Sequence, residues 1–400
     1  MTHPRLRIFA AVMACAFGGA AHAADDASMF TLSGFATLGL VKTSTDDAHY
    51  VITGQPRGAT KDVSGEVDSK LGVQAGVKFN PMFSGTVQLL SKQNGDGNFV
   101  PGVEWAFVKA QVLPSLALRA GRMGAPFFAV SDFRDVGFAN TALRPPPDVY
   151  GQVPVSHFDG ADATWQTSTG VGTVTAQVFG GKSSDTFERN DLDLKKLVGF
   201  NATLEMDNGL SLRLGHVSGK LTVKSASLSG LVTLLRTTPF ASVGNQIDAT
   251  DKKATFSGVG ATWDEGNWLV NAEYTMRRTE SYVPDTNGWY VTVGRRFGAF
   301  TPYVIGSQVR TVSSNVDNTI QPLTPTLAQL QAVVNATTDS QRLQQKTVAL
   351  GVRWDFMRNF ALKAQVDHVK ASSDTFFTQA KAGFAPRNVN VLSLAVDTVF

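Results

Sequence analysis

The chain has 400 residues, with 36 Lys and Arg against 33 Asp and Glu, 37 glycines, 26 phenylalanines and a single cysteine. This whole-chain charge balance points to no nucleic acid or other strongly charged partner, so any selectivity must come from local charge. After Ala23 there is no apolar run of the roughly 20 residues that a membrane helix needs.

At the N-terminus, Arg5 and Arg7 precede an apolar stretch from Ile8 to Ala16, and small residues lead to Ala21-His22-Ala23. That pattern predicts a signal peptide over residues 1–23 and a mature domain over 24–400. A lipoprotein cleavage site at Val12-Met13-Ala14-Cys15 fits less well, because Met13 is a poor match and the apolar region would end early. Cys15 is the sole cysteine, so the mature chain has no disulfide, cysteine-based metal site or cysteine nucleophile.

The mature chain then alternates apolar and polar residues with a period of two in sixteen segments. Phe30 to Lys42 comes first, followed by Asp68 to Phe79, where Leu71, Val73, Ala75 and Val77 oppose Lys70, Gln74 and Lys78. Asn80-Pro81-Met82 turns the chain into Phe83 to Gln93, and Pro114 joins Val103 to Leu113 with Leu116 to Gly124. More than thirty residues pass before His157 to Thr167 and Val171 to Lys182. Asp207-Asn208-Gly209 links Lys196 to Met206 with Gly209 to Thr222, a strong short-turn signal. Glu265-Gly266 links Lys253 to Asp264 with Asn267 to Thr279; the latter sets Trp268, Val270, Ala272, Tyr274 and Met276 against Asn271, Glu273, Thr275 and Arg277. Gly288 to Phe297, Phe300 to Thr311, Gln345 to Phe356, Phe360 to Lys370 and Val389 to Phe400 complete the set.

Seven tight turns separate eight longer connections in this reading. That rhythm suits an all-β transmembrane antiparallel barrel of sixteen strands, with short turns and both termini on the periplasmic side and longer loops outside. An even count lets the first strand pair with the last, leaving no edge exposed to lipid. A soluble sandwich also has short strands, yet it does not explain the alternation of connections or the aromatics near strand ends, among them Trp268, Trp289, Trp354, Phe356 and Phe360.

Three stretches carry a resemblance to a known family: Ala106-Phe107-Val108-Lys109-Ala110, the Leu118-Arg119-Ala120-Gly121-Arg122 strand followed by Pro126, and the terminal Phe400 on its alternating strand. With them the chain resembles the Gram-negative general porins, trimeric sixteen-stranded channels. The resemblance implies an outer-membrane homotrimer that passes small hydrophilic solutes and ions. It makes Phe400 a signal to the barrel-insertion machinery, and it folds the third external loop, here residues 124–156, into the lumen. The Arg144-Pro145-Pro146-Pro147 run and the mixed charges depart from the acidic loop of many general porins, so the family's usual selectivity is not carried over.

A charge in a narrow, partly dehydrated passage acts far more strongly than one in bulk water. Within the loop, Asp132, Asp135 and Asp148 are candidates for a negative side, with Arg134 and Arg144 among them. Lys70 and Arg119 have the inward parity of strands near its root and are candidates for a positive pore wall, joined by Arg122, which breaks that parity and so lies at a bulge or on the loop's shoulder. Pinning of the loop by ion pairs is the competing role for each of these charges. Lys363, Asp367, Arg353, Asp355, Glu273 and Arg277 also point inward, with a solvated wall as their expected role. Phe127, Phe128, Phe133 and Phe138 are expected to anchor the loop.

An adhesin or structural anchor is an alternative, because Val223 to Lys252 and Val312 to Gln344 are long connections. A barrel hydrolase finds less support. The mature histidines are only His49, His157, His216 and His368, and no metal spacing or phosphate-binding loop occurs, so neither cofactor nor metal is expected.

Overall fold

Every backbone N–H and C=O that faces lipid must be bonded within the protein, and a sheet achieves this only by closing on itself. The computed structural model, which describes residues 29–187, 190–371, 376–381, 384 and 388–400, is such a closed sheet of sixteen antiparallel strands. The expected signal peptide lies outside the described residues.

The strands of the first half are Phe30–Thr43 (β1), Lys70–Lys78 (β2), Phe83–Lys92 (β3), Gly102–Leu113 (β4), Leu116–Gly124 (β5), His157–Thr169 (β6), Gly172–Phe187 (β7) and Asn190–Glu205 (β8). Those of the second half are Leu210–Lys224 (β9), Lys252–Glu265 (β10), Trp268–Thr279 (β11), Asp285–Arg295 (β12), Phe300–Ser313 (β13), Gln344–Met357 (β14), Phe360–Ala371 (β15) and Asn388–Val399 (β16). Each strand pairs with its sequence neighbours, and β1 closes the ring by pairing with both β2 and β16. At this seam Gly34 and Phe400 exchange backbone hydrogen bonds of 2.8 and 3.0 Å. The Phe400 ring lies over Gly34, where an added Cβ would stand 2.4 Å from it.

Parity sorts the side chains as expected. On β11 the exposed Trp268, Tyr274 and Met276 alternate with the buried Glu273 and Thr275. Exposed aromatics gather near the short-turn ends, where Phe300 stacks on Trp354 and the Arg295 guanidinium lies over both Trp268 and Phe297. Gly209, Gly266, Gly298 and Asn359 adopt positive φ at four of these turns, as short hairpin connections require.

Two departures from the periodicity have identifiable causes. β7 runs on to Phe187 and β8 begins at Asn190, whereas alternation ends at Lys182 and resumes at Lys196. The cause is a bulge: Lys196 has φ +49°, and pairing jumps from Gly181↔Leu197 to Ser183↔Leu194. One extra residue inverts the phase of everything beyond it. The longer connection expected there is therefore mostly strand, and the one after β11 shrinks to residues 280–284.

The second departure is helical. The long connections contain Pro147–Tyr150 (α1), Ala226–Arg236 (α2), Ala241–Ile247 (α3) and Pro325–Asp339 (α4). Leu228, Val232 and Leu235 fall at helical spacing and pack with Val243, Ile247 and Val334 in a small core above the barrel. Thr324 caps α4 by accepting from the Leu327 amide, and Pro325 occupies the first turn.

Val270 stands on the outward parity of β11. Because it lies two residues in from the Trp268 end of the strand, replacing it with Arg should cost about 1 to 2 kcal/mol, between the interfacial and midplane values, read from urea unfolding in lipid vesicles.

Candidate functional site

The connection between β5 and β6 lies against the polar inner face of the barrel, held by hydrogen bonds to strands on the far side. Its root is apolar: Phe127 and Phe128 are buried with Phe158, Phe179, Phe256 and Tyr150. Phe128 stacks on Tyr150 with ring centroids 4.5 Å apart. Phe138 packs beneath the Arg353 guanidinium, 4.8 Å from its ring centroid. Phe133 does not act as an anchor; it is 39% exposed, since its segment faces open space.

Beyond the root, buried wall groups take up the loop backbone. Glu273 accepts from the Ala129 amide at 3.0 Å and from the Tyr150 hydroxyl at 3.1 Å. Lys363 is fully buried, and its Nζ donates to the carbonyls of Gly137 at 2.7 Å, Asn140 at 2.5 Å and Ala142 at 3.1 Å. Its charge is met by Asp397 of β16 at 3.0 Å. Gly137 approaches so closely that an added Cβ would meet Asp397 Oδ1 at 2.1 Å and Thr37 Oγ1 at 2.5 Å. The Leu143 amide donates to the Tyr303 hydroxyl at 3.1 Å.

The predicted loop charges separate into three environments. Arg144 is buried and forks onto both oxygens of Asp68 at 2.9 and 2.6 Å; it also meets Asp367 at 3.3 Å and Ser393 at 2.6 Å. Asp148, in α1, is fully buried and accepts from Ser307 at 2.5 Å and Gln345 at 3.2 Å. Asp135 pairs with Lys92 at 2.9 Å and Lys70 at 3.7 Å, with Arg134 at 3.7 Å. Asp132 alone of the three aspartates is exposed and lines open space.

That space is a cavity of about 810 Å³ between the Pro126–Thr141 arm of the loop and the inner wall from β3 round to β11. Hydroxyl and amide side chains dominate the wall, including Thr86, Gln111, Thr164, Asn201 and Thr203. Lys109, Arg119 and Arg213 are its basic residues, and Glu205 and Asp264 add carboxylates. Arg119 forks onto the buried Asp162 of the neighbouring strand, its shortest contact 2.6 Å, and does not meet the loop. Arg213 donates to the Pro126 carbonyl at 2.6 Å. The lining of this cavity carries charges of both signs, and among the described residues no cluster of His, Cys, Asp and Glu is arranged to hold a metal.

A family model described as Gram-negative porin matches residues 10–301. The chain belongs to the Gram-negative porin family. It is an outer-membrane, multi-pass β-barrel. No curated protein sequence matches it. Solved structures share its fold at low identity. The Salmonella typhi OmpF complex with daunomycin is 13% identical, covering 93% of this chain and 97% of the other, with a TM-score of 0.56. An anion-selective porin from Comamonas acidovorans is 14% identical over 93% of this chain and 99% of its own, TM-score 0.55. The trimer form of OmpT from Vibrio cholerae is 13% identical over 93% and 100%, TM-score 0.54.

In this porin Lys363, Asp367 and Glu273, expected as solvated wall, instead hold the loop, since all three are buried against it. Arg122 is on the outward parity of β5 and pairs with Asp159 at 2.7 Å, so it lines no passage. Asp68, Lys92, Tyr303 and Arg213 were not singled out from the sequence. Arg213 had a usable signal, because it shares the parity of Ser211 on β9.

Burial pushes the Asp148 carboxyl up to about 6, against the hydrogen bonds it accepts from Ser307 and Gln345. Because its folded value lies above the unfolded one, its contribution to docking is full below the ordinary carboxylate range and is lost as pH rises through about 6. Asp135 behaves oppositely. Burial would raise it, but Lys92, Lys70 and Arg134 hold it well below the usual range, so its contribution persists at neutral pH and fades only in strong acid. Hydrogen exchange at the α1 amides, expressed relative to the intrinsic base-catalysed rate at each pH, should therefore rise between about pH 4 and 7, and Asp148→Asn should remove that rise. An unchanged rise in the variant would assign it to another group.

Proposed function

We propose that this porin is a passive channel for small hydrophilic solutes and ions, filtered by size and charge where residues 124–156 narrow the lumen. The observation carrying this reading is the polar cavity beside the Pro126–Thr141 arm. A sixteen-stranded barrel leaves an aqueous lumen, and a docked loop of this length reduces it to the space on one side. Asp132 then faces Arg119, Lys109 and Arg213 across the passage. The field between such walls orients polar solutes and is strengthened by the low-dielectric surroundings.

The chain acts as a homotrimer on this reading, as the Vibrio cholerae OmpT trimer form does. Residues 1–23 direct export, and Phe400 is read by the insertion machinery. The reading is not enzymatic. Ser156 Oγ lies 3.0 Å from His157 Nδ1, but Glu104, at 3.8 Å, is on that same nitrogen. A relay needs the nucleophile and the orienting carboxylate on opposite ring nitrogens.

Planar-bilayer recording tests the proposal. Asp132→Asn should shift the cation to anion permeability ratio toward anions by on the order of twofold to tenfold at low salt. Deleting Val130 to Asn140 should raise single-channel conductance in barrels that still assemble. If assembled barrels of both variants conduct like the parent, the loop does not border the passage.

A further inference from the structure

The inner face of the barrel changes character toward the outer mouth. On β9 it runs from Ser211 and Arg213 to Val217, Leu221 and Val223; on β8 it runs from Glu205, Thr203 and Asn201 to Leu194 and Leu192 beyond the bulge. These apolar ends line a second, partly open cavity of about 400 Å³, bordered also by the returning loop segment Gly151–Val155, by Tyr282, Val283, Leu343 and Phe377, and by polar groups such as Ser218, Thr255 and Thr279. An apolar wall with a few convergent polar groups is the lining that binds small organic molecules.

One charged residue lines this cavity among the described residues, Arg277 of β11. Its terminal nitrogens donate to two neutral carbonyls, Gln152 O at 2.6 Å and Pro284 O at 3.1 Å, and its buried Nε has no partner. Arg277 takes part in none of the ion pairs formed among the described residues, whereas the neighbouring Arg278 meets Asp285 at 3.7 Å. A guanidinium in ion-pair contact with no carboxylate among the described residues, at the edge of a largely apolar cavity, complements a molecule that brings both an anionic head and an apolar body.

We propose that this vestibule is a binding site for amphipathic monocarboxylates, with the carboxylate on Arg277 and an aromatic or short aliphatic body against Leu192, Leu194, Val217 and Leu221. The site concentrates such solutes at the outer mouth and is separate from the Asp132 passage. The fit is one of size as well as charge, since the cavity has room for a phenyl ring with a short chain.

Equilibrium dialysis of labelled 3-phenylpropionate against the protein in lipid nanodiscs, with empty discs subtracted, tests the site without requiring conduction. Binding should be saturable and about tenfold tighter than for propionate, which lacks the ring, or for 3-phenylpropionamide, which lacks the charge. Arg277→Gln should abolish preference for the acid over the amide. Because Arg277 also touches the loop, Leu192→Asn serves as the second variant: Leu192 is part-buried at the margin of the loop-root core and hydrogen-bonds no loop residue through its side chain, and its change should weaken binding about tenfold. Equal binding of the acid and the amide by the parent, or unchanged affinity in Leu192→Asn, would overturn the proposal. A parent that binds but does not conduct would instead overturn the diffusion reading and leave this site standing.

Discussion

The Arg144 guanidinium carries the architecture of the passage. It is the point at which a loop rooted between β5 and β6 is fastened to the opposite side of the barrel, between Asp68 and Asp367. A buried charge of this kind is specific because it is costly when mismatched: removing one partner of a buried pair typically costs about 3 to 5 kcal/mol. Lys363 repeats the device a few residues earlier, with three loop carbonyls on one ammonium and Asp397 behind it. Both clasps involve strands at or near the β1–β16 seam, so the loop is fastened where the barrel closes. The cavity beside the Pro126–Thr141 arm is what remains on the side that the loop does not occupy.

Much of this was legible in the chain itself. Barrel closure, the strand number and the outward apolar parity follow from the period-two pattern, which lipid enforces residue by residue on one face. The long third connection was visible by its length alone. What periodicity could not supply was the partner of each inward charge. Lys363 and Arg353 have the same inward parity, yet one is fully buried under the loop and the other also holds the surface-facing Asp355 at 2.8 Å. Parity gives direction across the sheet, whereas burial depends on where the loop comes to rest. The loop's own charges show the same limit: Asp132 and Asp148 look alike in sequence, but one faces the cavity and the other fills a buried niche.

Two further features were hidden for physical reasons. The bulge at Lys196 inverted the alternation, so the apolar inner face beyond it was indistinguishable from a loop. The helices α2, α3 and α4 occupy connections flanked by strongly alternating strands, and their 3.6-residue spacing is short enough to be overlooked beside sixteen repeats of the other period. These features together shape the outer mouth. The barrel wall is therefore predictable from pattern, while its entrance is set by local exceptions to that pattern.

The one cysteine of the sequence, Cys15, lies outside the described barrel, which permits a direct test of where the passage runs. Single cysteines would be placed at Asp132 on the loop, at Lys109 on the opposite wall and at Val270 on the outer face, and a water-soluble anionic thiol reagent applied during recording in planar bilayers. Modification of Asp132→Cys and Lys109→Cys should each reduce the current, and the reagent should leave the Val270→Cys current unchanged. A current that falls only for Val270→Cys, or for none of the three despite labelling at Asp132 and Lys109, would contradict a passage bounded by the loop and the β3 to β11 wall.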